Sequence, residues 1–168
     1  TCGHGLVQPN ADGSLHGSVG WYGPVNSAGL VAYMGIVLGK KAGAMHAEID
    51  PAITRAGNFF RYYVQKGTIP YGEHEPCNGP NDLGGTHSSN GKDSLAAMVY
   101  ALQGNQPTET EYFTRLTVAG YTGREYGHTG QGFSYLWSGL AANIGGTNAM
   151  ATYLAQVYWH LDLERRCD

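Results

Sequence analysis

Apolar side chains recur along this chain at helical spacing, and the clearest run is Phe133, Leu136, Trp137, Leu140, Ala141 and Ile144 at i, i+3, i+4 intervals. The segment holding them carries no formal charge, so the pattern predicts a helix buried nearly all round. Two other uncharged stretches read the same way, Ser27 to Gly39 and Ser94 to Leu102. Between them lie three helical stretches that do carry charge. The first keeps Ile53, Ala56, Phe60, Tyr63 and Val64 in register with Arg55, Arg61 and Lys66. The second contains Glu109, Glu111 and Arg115. The third runs from Thr147 to Arg166, with Met150, Leu154, Val157, Tyr158 and Leu161 on one face and Asp162, Glu164, Arg165 and Arg166 crowding its end.

Start and stop signals agree with this division. Asp50 is an N-cap choice with Pro51 at the first helical position, and Gly67 closes that helix. Thr108 and Glu111 have capping-box spacing. Thr68 to Asn90 is too rich in Gly and Pro for regular structure and reads as a long loop. Uncharged and charged helices therefore alternate three times, and Tyr71-Gly72-Glu73-His74 is echoed by Tyr126-Gly127-His128-Thr129. The expected fold is all-α: three helical hairpins in a degenerate repeat, each with an inner uncharged and an outer charged helix.

That arrangement resembles the α/α toroids, the helical-hairpin barrels of squalene and hopene cyclases, prenyltransferase β subunits and several polysaccharide lyases and hydrolases. His16 to Leu30, Thr86 to Met98 and Gly127 to Trp137 also resemble segments of a bacterial toroid family with no assigned activity. The resemblance implies part of an α/α toroid, since three hairpins fall short of a closed ring. It carries over neither the acidic motif of terpene cyclases nor the zinc ligands of prenyltransferases, because this chain shows neither.

Composition narrows the partners. The 168 residues suit one domain over 1–168. Charged residues are 14%, against about a quarter in ordinary domains, which points to extensive packing against itself or neighbours. With a net charge of −3 and no Lys/Arg run beyond two, no nucleic-acid partner is expected. Polar residues interrupt every apolar run, so no membrane span is expected. Thr1 is not a translational start, so the chain is expected to be processed or to belong to something longer, in an extracellular or periplasmic setting. Cys2, Cys77 and Cys167 match no close-spaced metal motif and read as free thiols ahead of a Cys2–Cys167 bridge. No H-E-x-x-H, P-loop or dinucleotide fingerprint occurs, so no metal or cofactor is expected.

If the three uncharged helices lie parallel, the loops entering them meet at one rim. Those loops hold most of the unusual residues. Glu73 and His74 stand beside Glu75, and His74, His128 and Glu73 are the expected acid–base residues, because neutral-pH proton transfer needs an imidazole or a tuned carboxylate. Trp21, Tyr22, Asn26, His87, Lys92 and Gln131 are the expected binding residues, the aromatic ones offering flat faces to a sugar ring. Lys92 or Arg124 would neutralise a uronate in a lyase, and Asp93 would join Glu73 or Glu75 in a hydrolase. The leading expectation is a carbohydrate-active enzyme with a glycan substrate. Two others stand beside it: a non-catalytic helical module that self-associates or belongs to a larger surface protein, and a cyclase-like pocket for an apolar substrate. A purely structural role for individual loop residues, capping helix ends, competes with all three.

Overall fold

Six α-helices form close to where the periodicity places them, in a computed structural model that describes residues 8–9, 15–16, 25–70, 91–124 and 131–165. They are α1 (Asn26–Lys41), α2 (Ile49–Arg61), α3 (Gly91–Gln103), α4 (Pro107–Ala119), α5 (Gln131–Ile144) and α6 (Thr147–Glu164). Besides these there is a short 3-10 turn at Gly120–Gly123 and a two-residue antiparallel ladder, β1 (Gln8–Pro9) with β2 (Leu15–His16). The described residues are thus all-α apart from that ladder.

Helix starts differ from the expected caps. α2 begins at Ile49 with Glu48 as N-cap, and Asp50 reaches instead to Lys40 on α1. α4 begins at Pro107, one residue before the Thr108 expected to cap it, and no side chain caps it. Proline at the first position explains the shift: its fixed φ suits a helix start, and the hydrogen it lacks would be unbonded there anyway.

Packing follows the charge pattern only in part. α3 sits between α1 and α5 and touches α4 as well. Nine of its thirteen residues are buried, as expected for an inner helix. Tyr33 of α1, Phe60 of α2, Tyr100 of α3 and Phe113 of α4 form the aromatic centre, Tyr33 stacking on Phe60 and Tyr100 on Phe113. Their hydroxyls are satisfied inside: Tyr100 donates to the Gly57 carbonyl at 2.7 Å, and Tyr33 accepts from Gln103. Burial pushes the Tyr33 hydroxyl up to about 12 and raises Tyr100 as well, so both stay neutral, Tyr100 as a donor and Tyr33 as an acceptor.

α5 and α6 depart from expectation. Leu136 and Leu140 of α5 are 59% and 52% exposed, so α5 is not buried all round. On α6 the expected apolar face is largely open: Leu154, Tyr158 and Leu161 are exposed, and only Tyr153 and Val157 are buried. The reason is a missing neighbour. α3 has a helix on each side, whereas α5 is covered by α3, α4 and α6 and has nothing described beyond them.

α3 and α5 run parallel, because Gly91 faces Ser134 and, one turn on, Ser94 faces Ser138. At the α1 end of the row, Asn26 bonds Pro70 while the adjacent Ile69 bonds Asp93. Further along, Tyr33 meets Tyr100 and Gln103, so α1 runs the same way as α3. α3 approaches α5 closely enough that a Cβ on Gly91 would lie 2.5 Å from the Phe133 carbonyl oxygen. Replacing Gly91→Ala should destabilise the fold by about 2 kcal/mol or more, since neither backbone yields easily. Gly35→Ala on α1, where a Cβ meets nothing within 4 Å, should stabilise it by about 0.5–1 kcal/mol. Urea unfolding of the two variants should therefore shift in opposite directions.

Candidate functional site

The end at which α1, α3 and α5 start is held by buried polar side chains. Asn26, the first residue of α1, is 3% exposed and donates from Nδ2 to the Pro70 carbonyl at 2.9 Å. Asp93, in the first turn of α3, accepts from the Ile69 amide at 3.0 Å. Together these two side chains fasten the segment 68–70 across the starts of α1 and α3. On the other side, the free amide of Gly91 donates to Ser134 Oγ at 2.8 Å, so a side chain of α5 serves the first turn of α3. Beneath it, Ser94 and Ser138 share a hydrogen bond of 3.0 Å, and Thr117 of α4 lies 3.1 Å from Ser94.

Two ionisable groups are enclosed in this layer. Lys92 is fully buried and Asp93 is 1% exposed. Burial pushes the Asp93 carboxyl up to about 7, against the pull of the Ile69 amide and the Lys92 charge. Arg124, just after α4, is 2% exposed. It donates to the Thr117 carbonyl and Gln156, with its guanidinium over the Tyr153 ring.

These positions revise several expected roles. Asn26 and Lys92 lie below the rim rather than on it, because interior partners take up the polar group of the one and burial encloses the other. Asp93 and Arg124 are interior for the same reason, so neither stands ready as a hydrolase carboxylate or a uronate cation. Gln131 opens α5 at the rim, as its loop-to-helix position implies. Trp21, Tyr22, Glu73, His74, His87 and His128 lie outside the described residues, as do Glu75 and the three cysteines. Trp137 is partly buried and packs with Phe133 on the main core.

His160 is a residue that sequence reasoning passed over. It lies near the end of α6, and because α6 returns antiparallel to α5 its ring stacks on Tyr135, one turn into α5, at 4.3 Å. The imidazole thereby joins the end where α5 begins. Its signal in the sequence was weak, for it stands on a helix read as outer and far from any loop. His46, at the opposite connection, accepts from the Glu48 amide.

A cavity of about 930 Å³ lies at the other end, where the α3–α4 and α5–α6 connections run. It is lined by Gln106, Thr110, Thr114, Ile144 and Asn148 among others. The charged residues among its described lining, Glu111 and Arg115, are paired with each other at 2.6 Å. Among its described lining residues there is no histidine, and the one carboxylate is the paired Glu111. Among the described residues no three His, Cys, Asp or Glu side chains gather as a metal site would require, and no helix is long and apolar enough to cross a membrane.

Residues 1–168 match the family model of a domain of unknown function, DUF6288, and the chain belongs to that family. No curated protein and no solved structure matches it.

The raised Asp93 carboxyl gives the fold a pH signature. Its folded value lies above its unfolded one of 3.8, so its contribution is greatest below pH 3.8 and declines as pH rises to about 7. Asp93→Asn retains an oxygen for the Ile69 amide and removes the proton. The difference in unfolding free energy between parent and variant should therefore slope across that window and be flat above it, as urea titrations at stepped pH would record.

Proposed function

We propose that this DUF6288 domain is a row of three helical hairpins from an α/α toroid, with uncharged inner and charged outer helices, and that it acts on a glycan at the rim where α1, α3 and α5 begin. The observation that carries the reading is the common direction of those three helices. Val25, Pro70, Gly91 and Gln131 lie at or beside that rim, and next to them in sequence stand the segments 17–24, 71–90 and 125–130. These segments contain Trp21, Tyr22, Glu73, His74, His87 and His128.

The chemistry is acid–base work on a sugar. His74 and His128 exchange protons near neutral pH, and Glu73 supplies a carboxylate beside them. In an elimination, one of them removes the proton beside a uronate carboxyl and the glycosidic oxygen leaves, giving an unsaturated product. In a hydrolysis, one protonates the leaving oxygen and a carboxylate directs water or attacks the anomeric carbon. Trp21 and Tyr22 stack on sugar faces, with His87 and Gln131 bonding hydroxyls. Asn26, Lys92 and Asp93 form the floor that fixes where these segments enter. An extracellular or periplasmic setting fits a polymeric glycan substrate.

Incubating the protein with neutral and uronate polysaccharides, while following both unsaturated-product absorbance and new reducing ends, tests the proposal and separates the two reactions. His128→Ala should lower turnover by about 10²–10⁴-fold with helical circular dichroism unchanged. A parent that cleaves none of the polymers, or a variant that cleaves as fast as the parent, would overturn the assignment.

A further inference from the structure

The cavity at the connection end is walled by four helices rather than lying on one face. α4 runs along it from Pro107 to Val118, about 16 Å, and Tyr100 and Ala101 of α3, Ile144 of α5 and Asn148 of α6 form its other sides. Small side chains leave the room, with Ala101, Ala119 and Ala149 on the wall. The walls draw together at Gly145, where an added Cβ would lie 2.5 Å from the Thr114 methyl and 2.7 Å from the Ala149 Cβ. A volume of about 930 Å³ falls within the range of small-molecule sites, about 300–1,000 Å³.

The polar groups of the wall supply both halves of a hydrogen bond. Thr110 donates its hydroxyl to the Gln106 carbonyl at 2.8 Å, and Thr152 donates to the Asn148 carbonyl at 2.9 Å, so each oxygen is left to accept. Gln106 accepts from Arg61 at 2.7 Å through its Oε1, which leaves its amide nitrogen to donate. Thr114, another wall residue, is 5% exposed and its hydroxyl has no hydrogen-bond partner, a condition uncommon for a buried polar atom. The charged residues of the described lining, Glu111 and Arg115, neutralise each other. A charged ligand would give up its water here without meeting an unpaired opposite charge, whereas a neutral one has little to lose.

We infer that this cavity binds an uncharged, mainly apolar small molecule that carries a hydroxyl or carbonyl group. Pro107, Val118 and Ile144 receive its apolar body, and its polar group exchanges hydrogen bonds with Gln106 and Thr110, which adjoin each other at the start of α4. Neutral donors and acceptors set into an apolar wall fix the orientation of such a molecule, while the apolar contacts hold it. The cavity lies at the opposite end of the helices from the rim, so the inference is independent of the glycan reading and stands or falls without it.

Backbone amide NMR of the whole chain, titrated with 2-naphthol at neutral pH, is the test. This probe is uncharged there and joins an apolar double ring to one hydroxyl. Saturable shifts are expected among the amides of 104–119 and 144–152. 2-Naphthoate and 2-naphthylmethylamine, which keep the ring but carry a charge, should bind at least about tenfold more weakly. Ala149→Phe, which fills the cavity, should raise the dissociation constant for 2-naphthol at least about tenfold with helical circular dichroism unchanged. The inference is overturned by an absence of saturable shifts, by shifts centred on the exposed side of α6, by charged probes that bind as tightly as 2-naphthol, or by a folded Ala149→Phe that binds like the parent. Should Ala149→Phe fail to fold, Thr110→Val decides, since it keeps the shape of the side chain and removes its oxygen. Weaker binding of 2-naphthol then supports the site, and unchanged affinity rejects it.

Discussion

Gly91 and Ser134 meet because α3 and α5 approach until backbone touches backbone, and the rest of the described structure is arranged around that approach. A side chain at Gly91 would strike the Phe133 carbonyl, so only glycine permits the contact. The closeness in turn lets Ser134 reach the free Gly91 amide and Ser94 reach Ser138. Serine and glycine on the facing stripes are thus one device: small side chains admit the neighbour, and their hydroxyls then satisfy polar groups that the approach has dried. Parallel orientation follows, since the two contacts, a turn apart, are matched in the same sense.

The same layer explains how ionisable groups survive indoors. Lys92 and Asp93 occupy the first turn of α3 and are buried there. Asp93 is stabilised by an amide from the 68–70 segment rather than by its own helix, which couples the end of the long loop to the start of α3. Asn26 does the same from α1 with the opposite polarity, donating where Asp93 accepts. The segment 68–70 is therefore gripped from two helices at once. These hydrogen bonds are buried, and they fix where the chain at 68–70 crosses the starts of α1 and α3.

A helix row of this kind has ends, and its ends behave differently from its middle. α3 is saturated with neighbours and nearly all of it is buried. α5 has the composition of an interior helix but described neighbours on one side only, and α6, charged in its last turn by Asp162 and Glu164, leaves most of its apolar residues exposed. The resulting apolar exposure and the polar floor at the rim are separate features: the first runs along the helices, the second caps their starts.

How much could be read beforehand follows from what each observation depends on. Helix identity, order and approximate length were legible, because Phe133 to Ile144 or Ile53 to Val64 repeat at a spacing that only a helix puts on one face. So was the grouping of unusual residues ahead of the three uncharged helices. The true first residues of α2 and α4 were not, since Asp50 found Lys40 and Pro107 started its helix without help from Thr108. Nor were the places of Asn26, Lys92, Asp93 and Arg124, whose types suggest surface chemistry. By itself the sequence determined which segments are helical and which of them avoid charge, for these are properties of residues and their immediate neighbours along the chain. Only the tertiary structure decided which charge-free helix is enclosed and which is left open, and that His160 returns beside Tyr135. Burial and proximity depend on what lies across the fold, and no local pattern encodes that.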